Sequence, residues 1–218
     1  MTTWIGIAFA VFLALCVVNL VGLRKDDKKT DKWSKPLLMP LLALTYWLAV
    51  RGSGSFEFYL VIGLLCGFLG DTFLIGTSDK FFTCGLLAFL AGHIFYILLY
   101  LGHFVLGDMT PVGIIVPAAL YALLLWQIVK RLFPSLKKQD KPGVTVYMIV
   151  ILLMSFTALQ LALATQNWCP FAGSLLFITS DTMLAFQNFK FRPTPFSRVA
   201  IMSTYLLAQM LITFGFIG

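Results

Sequence analysis

The sequence predicts an all-α integral membrane protein, a single domain built as a bundle of eight transmembrane helices. Three observations carry that expectation. Of 218 residues, 60% are hydrophobic and 11% charged, whereas a soluble domain has roughly 45–50% and about 25%. Eight apolar runs bounded by charge, Gly or Pro divide the chain, and nearly all the basic residues fall in alternate loops. The 25 charged side chains cannot supply the polar faces that eight soluble helices would need. Eight crossings at about 20 residues each take roughly 160 residues and leave only short loops.

The first span, residues 4–23, has no Lys or Arg before it, and Arg24, Lys25, Lys28, Lys29, Lys32 and Lys35 follow it. That order suits an uncleaved helix entering with its N-terminus outside the cytoplasm. The second, 36–50, is the shortest: fifteen residues rise only about 22 Å against a ~30 Å hydrocarbon core. Pro36 suits its first turn and Pro40 a kink. The third, 58–76, carries Asp71 among Gly63, Gly67 and Gly70, small residues that let a neighbouring helix approach. The fourth, 81–101, holds His93 and, three residues on along the same face, Tyr96. The fifth, 110–129, and sixth, 143–164, are apolar; the seventh, 168–189, carries Asp181 with Gly173, Ser174 and Ser180; the eighth runs over 197–217.

Fifteen of the sixteen Lys and Arg residues lie in the loops on one side; only Arg51 lies on the other. By the positive-inside rule both termini face away from the cytoplasm. Topology thus accounts for the +7 net charge, so no nucleic-acid partner is expected, although some basic residues are placed to meet anionic lipid head groups. The compact loops suit a bacterial inner membrane, or an endoplasmic reticulum membrane in a eukaryote. Cys16, Cys66, Cys84 and Cys169 show no metal or disulfide spacing and read as small packing residues.

Two short signatures recur. Lys35-Pro36 is matched by Lys141-Pro142, and Gly70-Asp71-Thr72-Phe73-Leu74 by Ser180-Asp181-Thr182-Met183-Leu184, at offsets of 106 and 110 residues. These are the offsets of a four-helix unit repeated in tandem. Shared helix-end chemistry is the competing explanation for so short a match.

An Asp inside a hydrophobic span costs at least ~2.5 kcal/mol and so faces the bundle interior with a partner. Asp71 and Asp181 lie about five and eight residues from the basic ends of their spans, roughly 8 and 12 Å deep at 1.5 Å per residue. Two buried carboxyls can supply acid and base from one residue type, which suits a reaction passing through an oxocarbenium ion. His93 is either a hydrogen-bonded structural histidine or a proton relay. Asp71, His93 and Asp181 could hold a metal, but no short ligand motif supports one, and no cofactor is expected. Lys35 snorkels to the membrane surface or meets a lipid phosphate. No GxSxG nucleophile motif is present.

At these residues the chain resembles the YhhN family of multispan membrane proteins, which includes the lysoplasmalogenases. The resemblance rests on Lys35-Pro36-Leu37, the run Gly67 to Leu74, the run Gly85 to Tyr96 containing Gly92-His93, and the run Gly173 to Ala185. It extends over essentially the whole chain. It implies an eight-helix fold, two essential acids that correspond to Asp71 and Asp181, and Lys35, His93 and Tyr96 at the other motif positions. It also implies an activity: hydrolysis of the vinyl ether of a lysophospholipid substrate, a lysoplasmalogen, to a fatty aldehyde and glycerophosphoethanolamine or glycerophosphocholine. On this expectation Asp71, Asp181 and His93 are catalytic. Lys35 would draw in the phosphate, and Tyr96 would hold a carboxylate or the substrate oxygen. The alternative is a proton-coupled lipid or small-molecule transporter using the two Asp residues as its coupling pair.

Overall fold

The structure, a computed structural model, describes residues 2–76, 78–105 and 109–217. Its regular structure is helical: α1 (Thr2–Arg24), α2 (Lys28–Val50), α3 (Phe58–Phe73), α4 (Asp79–Leu101), α5 (Pro111–Leu132), α6 (Lys141–Thr165), α7 (Cys169–Phe189) and α8 (Pro195–Phe214), with a 3-10 turn at Phe133–Ser135. Six of these, all but α2 and α3, are long and apolar enough to cross a membrane.

α2 departs most from its expected span. It starts at Lys28 rather than Pro36, so the Lys-rich segment is helical and both prolines lie inside the helix. Asp27 explains the earlier start. Its side chain accepts from the Lys29 and Thr30 amides, satisfying donors that a helix start leaves free. The Thr30 hydroxyl and these two amides hold the Asp27 carboxyl below the usual carboxylate range. The Pro36 ring therefore sits in mid-helix instead of the first turn. At 23 residues α2 rises about 34 Å. By contrast α3 is only 16 residues long and ends at Phe73, so Asp71 sits in its last turn.

Neighbouring helices pack in sequence from α1 to α4; then α4 packs on α6, α6 on α7, α7 on α8, and α8 returns to α1. Seven helices thus close a ring, and α5 lies outside it against α6. The apolar surface of α5 is compatible with that place: only Ile128 and Leu132 of the helix are buried, and most of the rest suits lipid. Among the described residues two side-chain hydrogen bonds attach it to α6. Gln160 donates to the Gly113 carbonyl at 3.0 Å, and Tyr121 and Ser155 share a 2.7 Å hydrogen bond.

Within the ring, small residues bring helices together. A Cβ on Gly173 would lie 2.8 Å from the Ala208 carbonyl of α8, and one on Gly70 would lie 2.6 Å from the Phe89 ring of α4. Asn19 of α1 donates to Ser34 at 2.8 Å and to Asp31 at 3.1 Å on α2, a polar clasp that the apolar pattern concealed. At the basic end Arg198 pairs with Asp26 at 2.7 Å, joining the start of α8 to the α1–α2 turn. At the other end His103 meets Glu57 at 3.2 Å. All four cysteines are free.

Candidate active site

Asp71 and Asp181 enter the ring from α3 and α7 and are both buried, 2% and 8% exposed. Each has its own set of partners. Tyr147 of α6 donates a short hydrogen bond to Asp181 Oδ2. His93 of α4 brings Nε2 to 3.0 Å from the Tyr147 hydroxyl and 3.4 Å from the same Asp181 oxygen. With Tyr147 donating to Asp181, the Tyr147 oxygen accepts from a protonated His93 Nε2. The ring is fixed edge-on by Phe177, with centroids 4.7 Å apart, and its Nδ1 is buried without a partner among the described residues. Three helices therefore converge on one carboxyl.

Asp71 is held differently. Tyr205 of α8 donates to its Oδ2 at 3.0 Å, and the Lys35 ammonium of α2 lies 3.6 Å from Oδ1. Tyr205 also receives a long 3.5 Å contact from Gln209, whose carbonyl accepts from Tyr96 at 2.6 Å. Tyr96, expected to hold a carboxylate or the substrate oxygen, meets neither carboxylate: its ring packs against Gly63 and its hydroxyl bonds to Gln209. No hydrogen bond joins the two carboxylates among the described residues. The rings of Phe89 and Phe177 both pack edge-on against Tyr205, at 5.8 and 5.4 Å, and Phe177 in turn meets His93.

Cavities separate the two acids further. Asp181 and Tyr147 line a narrow inner cavity of about 30 Å³ whose other walls are apolar apart from Asn188. An open vestibule of about 610 Å³ at the basic end is lined by Lys35 and Arg198. A groove of about 770 Å³ opens between the start of α4 and the α5–α6 connection. All three spaces meet at Phe82, Asn188 and Phe189. Asp71 lies behind Lys35, its carboxylate covered by the ammonium. No group of three His, Cys, Asp or Glu side chains suited to a metal forms among the described residues.

The YhhN family model matches residues 31–216. The chain belongs to the YhhN family. Lysoplasmalogenase TMEM86A of Bos taurus is 33% identical over 214 residues, a match covering 92% of this chain and 84% of the relative. Lysoplasmalogenase TMEM86A of Homo sapiens is 33% identical over 217 residues, with the same coverage. Lysoplasmalogenase TMEM86B of Sus scrofa is 33% identical over 221 residues, covering 96% and 86%. No solved structure matches. In this YhhN protein the sequence-derived candidates thus divide: His93 joins Asp181, Lys35 joins Asp71, and Tyr96 supports the second group through Gln209. Tyr147, Tyr205, Gln209 and Asn188 escaped the sequence reading, and Arg198 entered it only as one of the basic loop residues. Only Gln209 carried a usable signal, as a carboxamide in an apolar span four residues after Tyr205 and hence on its face.

Proposed function

We propose that this protein is a lysoplasmalogenase, hydrolysing the vinyl ether of lysoplasmalogens by acid/base catalysis that depends on both intramembrane carboxyls. The observation that carries the reading is a buried carboxyl, Asp181, hydrogen-bonded by Tyr147 on the wall of an otherwise mostly apolar cavity, in a chain similar over most of its length to lysoplasmalogenases.

The chemistry asks for a proton delivered to carbon. An acid protonates the alkenyl carbon distal to oxygen, the π electrons of the C=C bond form the new C–H bond, and the cation is shared with the ether oxygen. The ionised acid then faces an oxocarbenium ion that it stabilises, and it takes a proton from the water that adds. Collapse of the hemiacetal moves its hydroxyl proton to the departing glycerol oxygen and leaves the aldehyde. Asp181 is the group on the cavity wall with this capacity, and His93 and Tyr147 orient it and relay its proton. Asp71, engaged by Lys35 and Tyr205, is the second acid on which the reaction depends. The alkenyl chain lies among the Phe and Leu side chains of the bundle with its vinyl ether end toward Asp181, and the head group points to the basic end.

The proposal extends to topology: α2 and α3 complete eight membrane crossings, with the basic end in the cytoplasm and both termini on the far side. It also takes α1–α4 and α5–α8 as tandem halves, supported by the sequential packing within each; they diverge where α1 closes the ring and α5 stays outside it. The test uses purified protein in detergent with a 1-alkenyl lysophospholipid, following aldehyde release. Asp181→Asn abolishes release and Asp71→Asn lowers it strongly; full release by either variant refutes the scheme. Movement of intact lipid across sealed vesicles without aldehyde would favour the transporter instead.

A further inference from the structure

We propose that the vestibule at the basic end contains a phosphate subsite formed by Lys35 and Arg198, and that Asp71 serves the reaction through Lys35 as a positioning residue. The inference rests on the lysophospholipid reading above.

Both cations line the same opening. The Lys35 side chain, 18% exposed, stands between the buried Asp71 carboxylate and the vestibule, and its 3.6 Å separation from Asp71 exceeds a hydrogen-bond distance of about 2.7–3.2 Å. Its ammonium is therefore held by charge, while its donors have no other acceptor among the described residues and can meet an anion on the open side. Arg198, in the first turn of α8, uses Nη2 on Asp26 at 2.7 Å. Its Nε is buried with no acceptor among the described residues. Arg198 lines the vestibule, and the guanidinium donors not used on Asp26 suit a phosphate oxygen there. Asp31 and Asp79 lie on the same lining, and neither is in an ion pair among the described residues. They complement the cationic end of a zwitterionic head group.

The position agrees with the chemistry. The vestibule and the Asp181 cavity share Leu74, Phe82, Leu184, Asn188 and Phe189 as walls, so a phosphate held outside them is a short glycerol stretch from a vinyl ether held inside. Asp71 then has a use that needs no contact with the ether. A lysine drawn into an apolar bundle would otherwise swing out to bulk water; a fixed carboxylate beneath it, steadied by Tyr205, keeps the ammonium over the vestibule.

The experiment compares a 1-alkenyl lysophosphoethanolamine with the phosphate-free 1-alkenylglycerol, using full-length protein in detergent. Arg198→Gln and Lys35→Gln are expected to raise KM for the phospholipid by about 10- to 100-fold, the range for losing a charge-assisted hydrogen bond. They should leave kcat close to wild type and shift the KM for the glycerol less than threefold. Asp26→Asn breaks the ion pair but keeps the guanidinium, so its phospholipid KM should stay within threefold of wild type even if its thermal midpoint falls. Asp71→Asn should lose at least tenfold more activity on the phospholipid than on the glycerol. Equal losses on both substrates in the Lys35, Arg198 or Asp71 variants overturn the subsite, as does a selective loss in Lys137→Gln on the lateral groove instead. A binding arm separates this outcome from failure of the enzyme reading. Non-hydrolysable ether lysophosphoethanolamine should stabilise wild type but not Arg198→Gln, and this holds or fails whether or not aldehyde is released.

Discussion

Tyr147→Phe removes a single oxygen from the centre of the candidate site. That oxygen donates to Asp181 and lies 3.0 Å from His93 Nε2, so the variant takes one partner from each of two buried groups. The ring stays, and with it the edge-on packing on His93 at a centroid separation of 5.4 Å, so the fold should be retained. A hydrogen bond to a charged group contributes about 1.5–3 kcal/mol, and the loss expressed in the transition state is a factor of about 10 to 100. The upper end is tempered because His93 Nε2 already sits 3.4 Å from the Asp181 oxygen and can close on it directly. The expectation is therefore a kcat lowered about 10- to 100-fold with KM within twofold of wild type, measured as aldehyde release under saturating alkenyl lysophospholipid. A kcat within twofold of wild type would refute the role of the hydroxyl in proton handling. A raised KM with intact kcat would move Tyr147 from chemistry to binding.

Three other outcomes follow from the packing and topology. Gly173→Ala drives a Cβ to 2.8 Å from the Ala208 carbonyl, backbone that cannot swing away, and should cost about 1–3 kcal/mol; an unchanged thermal midpoint in detergent would mean that α7 and α8 are not in such close contact. Asn19→Leu leaves Ser34 and Asp31 without their α1 partner and should cost about 1–3 kcal/mol, read as a lower thermal midpoint, whereas an equal or higher midpoint would show the clasp to be dispensable. Cytoplasm-active reporters inserted after Lys138 should be active and those after Arg51 silent; the reverse pattern would invert the proposed orientation.

The placement of eight helices was legible in the sequence because each follows from local composition: a run of apolar residues of nearly the right length has no alternative in lipid but to pair its own backbone groups. The start of α2 was not, since the charged segment Lys28–Lys35 resembles a loop until the Asp27 cap is seen to satisfy its first amides. Nor was the exclusion of α5 from the ring, because its sequence differs little from that of helices inside it. Asp71 and Asp181 stood out by cost alone, whereas Tyr147 and Tyr205 did not, because an amphipathic tyrosine is ordinary in a membrane helix.

By itself, then, the sequence determined the all-helical architecture, the one-sided distribution of basic charge and the two acids that lipid would otherwise reject, all consequences of the transfer energy of single residues. Tertiary structure alone decided which partners each acid meets. Asp181 meets His93 and Tyr147 on a cavity wall while Asp71 lies beneath Lys35. Those partners come from α2, α4, α6 and α8, separated by up to 134 residues along the chain. Their meeting depends on the order in which helices close the ring, which the periodicity of any one helix does not encode.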